Sequence, residues 1–88
     1  MQAKHIIFGV HITDRMKKAG AVQEILTQYG GNILTRLGLH RVTDEFVSPR
    51  GLILLEMFDN EGVCQEMAEK LSAIEGVEVQ QMVFDHPD

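Results

Sequence analysis

The sequence predicts an α+β sandwich, with a four-stranded antiparallel sheet carrying two helices on one face in the order βαββαβ. Three observations lead there. Two amphipathic stretches each open on an acidic or amide residue and close on glycine. Each is flanked by short apolar stretches of strand length, and a polar loop separates the two halves. Eighty-eight residues with 44% hydrophobic content make one domain, spanning 1–88.

Residues 5–12, HIIFGVHI, alternate with period two. Ile6, Phe8, Val10 and Ile12 take one face, and His5, Ile7, Gly9 and His11 the other. Asp14 is an N-cap for a helix through Tyr29, whose buried stripe is Ala19, Val22, Leu26 and Tyr29 with Ile25 beside it. Gly30 or Gly31 is expected to end that helix in a left-handed conformation. Residues 32–43 then read as a second strand, with Ile33, Leu37 and Leu39 on one face and Arg36, Gly38 and His40 on the other. A polar hairpin loop, Asp44 to Pro49, leads to a third strand from Arg50, RGLILLEMF. So much Leu and Ile places that strand in the sheet interior.

Asp59-Asn60 caps a second helix in which Val63, Met67, Leu71 and Ile74 form the apolar stripe. Glu66 and Lys70 are an i,i+4 pair on its outer side, and Gly76 ends it. Residues 77–84, VEVQQMVF, are the fourth strand. Two βαβ units joined by a hairpin make the split arrangement of the ferredoxin-like fold. Right-handed crossovers put both helices on one face of the sheet. The other face is left bare and carries Ile7, Gly9, Leu52, Leu54, Met82 and Phe84. An apolar face of this kind marks an interface, so a homo-oligomer through the open sheet face is expected. A domain this small buries only roughly 60–65% of its unfolded surface, which also favours a partner subunit.

A net charge of −5 and scattered basic residues argue against direct nucleic-acid binding, which needs clustered cations. No apolar run approaches the ~20 residues of a membrane span. Met1-Gln2-Ala3-Lys4 leads directly into a strand, so no signal peptide is expected, and a single cysteine, Cys64, fits a reducing compartment. Together these predict a cytoplasmic protein.

No nucleophile elbow, phosphate loop or metalloprotease motif occurs, and no catalytic residue or cofactor is assigned. His5 and His11 share a strand face about 20 Å apart, too far to chelate one ion. Cys64 lies on the second helix as a small buried hydrophobe. No metal site is therefore expected. Glu56, on a central strand, is expected in an ion pair with a histidine of the open face or with Arg36 across an interface. The functional version of Glu56 is a general acid of raised pKa. Arg15, Lys17 and Lys18 crowd the first turn of helix one, where the macrodipole disfavours cations. With the free N–H groups there they could hold a carboxylate or phosphate. The alternative is a solvated basic turn offset by acidic neighbours.

Asp14-Arg15, the Val22/Ile25/Leu26 stripe and Gly30-Gly31-Asn32-Ile33 give the chain a resemblance to the ACT domain, a regulatory module that binds amino acids or related effectors between subunits. Met16-Lys17 stand where that pattern has Pro-Gly. Over about 80 residues the chain also resembles the iron-only hydrogenase system regulators. That likeness rests on the Asp14-Arg15 helix start, Asn32-Ile33-Leu34-Thr35-Arg36-Leu37-Gly38 and Ile74-Glu75-Gly76-Val77-Glu78-Val79. Those regulators look like the effector domain of the nickel-responsive repressor. Of the repressor's nickel ligands only His40 has a counterpart, Gly38 standing where a second strand-two histidine belongs. The resemblance implies a non-catalytic, effector-binding regulatory module without bound metal, acting as a homo-oligomer. A small anionic effector would sit at Asp14, Arg15, Lys17 and Asn32. A small enzyme using the open face, with Glu56 and His11 or His40 lining a pocket, is the alternative, and a purely structural assembly subunit is a third.

Overall fold

The computed structural model describes residues 4–39, 51–57 and 61–85, with the side chains of Lys4, Arg15, Met16 and Leu39 left aside. The elements are β1 (Lys4–Ile12), α1 (Arg15–Gln28), a 3-10 turn (Gly30–Asn32), β2 (Ile33–Leu39), β3 (Gly51–Met57), α2 (Glu61–Ser72) and β4 (Val77–Asp85). The sheet runs β2-β3-β1-β4, every neighbouring pair antiparallel. This is the expected βαββαβ order. The 44–49 hairpin, His40, the Asp59-Asn60 cap and His86 lie outside the described residues.

The alternation of β1 decides where the core lies. Ile6, Phe8, Val10 and Ile12 are buried against Val22, Leu26 and Tyr29 of α1 and Cys64, Met67 and Leu71 of α2. Leu55, Met57 and Val77 complete the layer. Both helices thus cover one face of the sheet. Ala19, expected in the α1 stripe, is exposed, while Lys18 is half-buried. The stripe leans towards the Lys18–Ile25 side of the helix, which leaves Ala19 beyond its edge. On α2 the pair Glu66–Lys70 forms at 3.8 Å, and the Lys70 ammonium lies 5.1 Å from the Tyr29 ring centre.

Two further expectations are corrected. Neither Gly30 nor Gly31 is left-handed, since Gly76, at φ +85°, is the one residue of positive φ among those described. Instead α1 tightens into the 3-10 turn, with Asn32 N–H donating to the Tyr29 carbonyl at 2.9 Å. Bonds of that spacing satisfy terminal carbonyls without a left-handed residue. In β2, Ile33 pairs with Met57 but Thr35 pairs with Glu56, so Leu34 is the extra residue of a bulge. An inserted residue reverses the parity of everything after it. Ile33 therefore packs towards the helices, whereas Leu37 stands on the open face, not beside Ile33.

Candidate functional site

Two places could carry function, the turn that opens α1 and the open face of the sheet. The turn is firmly built. Asp14 caps α1, its Oδ1 accepting the Lys17 backbone N–H at 3.3 Å. Thr13 N–H donates to the Gly76 carbonyl at 2.8 Å, which ties this turn to the one before β4. Lys17 is exposed, and the Arg15 side chain lies outside the described residues. Asn32 lies beyond the other end of α1, a helix of 14 residues and hence about 21 Å long. Asp14 and Lys17 are therefore not brought together with Asn32 in one chain, and a site using all of them needs two copies.

The open face follows from the register. Across β2, β3, β1 and β4 its rows are Thr35, Glu56, Ile7, Met82, then Leu37, Leu54, Gly9, Gln80, and then Leu52, His11, Glu78, with His5 beside Phe84 at one end. All six residues expected there are present, and the β2 bulge adds Leu37. The apolar side chains form a diagonal from Leu37 and Leu54 through Ile7 to Met82 and Phe84. Leu37, Met82 and Phe84 are 52%, 53% and 45% exposed. Polar groups occupy the two remaining corners, Thr35–Glu56–His5 at one and His11–Glu78–Gln80 at the other.

No protein-family model matches the chain, and no curated protein does. Among solved structures, an uncharacterized protein from Thermotoga maritima superposes with a TM-score of 0.76 at 26% identity, over 91% of this chain and 96% of that one. A dimeric ferredoxin-like protein from an uncultured marine organism superposes with a TM-score of 0.53 at 9% identity, over 98% and 96%. The fold is ferredoxin-like. At so low an identity the marine protein speaks for architecture alone.

On this ferredoxin-like sheet Glu56 is half-buried and doubly held. Thr35 Oγ1 donates to its Oε1 at 2.6 Å, and His5 Nε2 lies 2.6 Å from its Oε2. The Thr35 hydroxyl, and after it His5, hold the Glu56 carboxyl below the ordinary value, against a smaller opposing effect of burial. This is the reverse of a general acid of raised pKa. Arg36 takes no part, because it points to the helix side and donates to Gln23 Oε1 of α1 at 2.5 Å. Nor does His11 join Glu56. Their rows are two apart, about 13 Å along the strands, so a pocket lined by both does not form.

Among the described residues no three or more His, Cys, Asp or Glu come together as a metal site. Cys64 is buried in α2 on the opposite side of the sheet from His5 and His11. No helix among these residues is long and apolar enough to cross a membrane. Thr35 and the His11–Glu78–Gln80 corner escape a reading of the sequence. The signal that would have found them is the pairing register, which links residues far apart in the chain.

Proposed function

We propose that this chain is a non-catalytic regulatory module that works as a homo-oligomer, its copies joining across the apolar diagonal of the open face. It belongs, in this proposal, with the iron-only hydrogenase system regulators it resembles, and a small anionic effector binds where the α1 turn of one copy meets Asn32 of another. The observation that carries the proposal is the diagonal itself, with Leu37, Met82 and Phe84 about half-exposed on a face without helices. Apolar surface in water costs about 25 cal/mol per Å² relative to burial, and contiguous patches of it mark binding surfaces. The lowered pKa of Glu56 supports a structural, not an acid–base, use of that carboxylate. The length of α1, about 21 Å, which separates the Asp14 turn from Asn32, supports an effector site completed by a second copy.

Light scattering on untagged protein is the test. At high micromolar concentration the wild type is expected as a dimer or larger assembly of the 9.9 kDa chain. Met82→Glu and Leu37→Glu, each placing a charge on the diagonal, should yield monomers with unchanged circular dichroism. A wild-type monomer under those conditions overturns the proposal.

A further inference from the structure

Gly9 occupies the middle of a central strand, where glycine weakens a sheet and needs a reason. Neither usual reason holds within the protomer. Its φ is not positive, since Gly76 alone among the described glycines has that conformation. Crowding does not require it either. A Cβ at Gly9 would meet only Leu54 Cδ2 at 3.9 Å and the Gln80 carbonyl oxygen at 4.0 Å, which are ordinary contacts. What the missing side chain does is leave a solvent-open hollow of about 320 Å³, lined by Gly9, His11, Leu52, Glu78 and Gln80. That volume falls at the lower end of the roughly 300–1,000 Å³ typical of small-ligand pockets.

The polar side of the hollow is only partly committed to hydrogen bonds within the sheet. His11 and Glu78 are direct cross-strand partners. Gln80 Nε2 donates to Glu78 Oε2 at 2.9 Å and so fixes the carboxylate at the rim. Glu78 Oε1 and the His11 ring have no hydrogen-bond partner among the described residues. The register places no Lys or Arg of the described strands on this face, so the Glu78 charge has no cation beside it there. Leu52 and the bare Gly9 backbone supply an apolar floor.

We infer that this hollow binds a small organic cation, a primary ammonium on a short apolar body. The ammonium donates to Glu78, the body rests on Gly9 and Leu52, and the His11 ring forms a wall. The site lies to one side of the apolar diagonal. It is distinct from the α1 turn, where helix N–H groups select anions.

The test is titration of ¹⁵N-labelled protein with isobutylammonium chloride, and with sodium isobutyrate as a control of the same carbon skeleton, followed by amide chemical shifts. Expected are saturable shifts at millimolar ammonium, centred on Gly9, His11, Glu78 and Gln80, and none of that pattern with isobutyrate. Glu78→Gln should weaken binding about tenfold or more, the effect of losing one charge-assisted hydrogen bond. Gly9→Leu, which fills the hollow, should abolish it, and Gly9→Ala should weaken it where the leucine variant does not fold. The Met82→Glu variant is titrated in parallel, so that self-association and ligand binding are read separately. Absence of saturable shifts in both forms overturns the inference. So does an equal response to isobutyrate, or an unchanged affinity in Glu78→Gln.

Discussion

Replacing Gly76 by alanine tests how the α1 turn is held in place. Gly76 has φ +85° and accepts the Thr13 N–H through its carbonyl, so its conformation sets the position of the Asp14 turn. The added methyl would lie 3.7 Å from Thr13 Cβ, an ordinary contact, so the cost comes from the backbone alone. A left-handed conformation costs a non-glycine residue about 1–2 kcal/mol. A less flexible unfolded chain returns about 0.4–1 kcal/mol of that. The net expectation is a loss of about 1 kcal/mol, or roughly 4–8 °C in Tm for a domain of this size. Gly9→Ala is the internal control. With φ not positive and room for the methyl, it keeps only the unfolded-state gain and should stabilise by about 0.4–1 kcal/mol. Urea denaturation followed by circular dichroism separates the two. The reasoning is refuted if Gly76→Ala matches wild type, or if Gly9→Ala is the more damaging change.

Glu56 gives a pH dependence. Its carboxyl is held below the ordinary value of 4.5, first by Thr35 and then by His5, so its contribution is present above the unfolded pKa and lost as pH falls through the lower folded one. Urea midpoints of wild type should therefore fall more steeply below about pH 4.5 than those of Glu56→Gln, with Thr35→Val in between. Asp14→Ala should cost about 1 kcal/mol through the lost helix cap, measurable by thermal denaturation. Arg15→Ala should leave stability unchanged but weaken an anionic effector by about 1.5–3 kcal/mol in a thermal-shift screen of amino acids, nucleotides and carboxylates. Met67, fully buried between helix and sheet, should cost about 2–5 kcal/mol when cut to alanine, again by urea denaturation. Elemental analysis of untagged protein should find no stoichiometric nickel or zinc.

The elements, the layers and the face left bare are legible in the chain alone, because each signal is local. Strand β1 alternates with period two, Asp14 sits where a helix needs a cap, and the Val22–Leu26–Tyr29 spacing keeps one side of α1 apolar. Six members of the open face followed from parity alone, since strands without a bulge send every second residue the same way.

Strand pairing settles what parity cannot. The bulge at Leu34 has no compositional mark, because an inserted residue is visible only against its partner strand, and it carried Leu37 to the open face. The partners of Glu56 lie 21 and 51 residues away, so Thr35 and His5 became its neighbours only through the register of three strands. Gly30-Gly31 looked like the left-handed stop, yet Gly76 adopts that conformation, because α1 could end by tightening while the turn before β4 had to reach back to Thr13. The hollow at Gly9 is likewise a property of the sheet. One strand supplies the missing side chain, and its two neighbours supply Leu52, Glu78 and Gln80 around it.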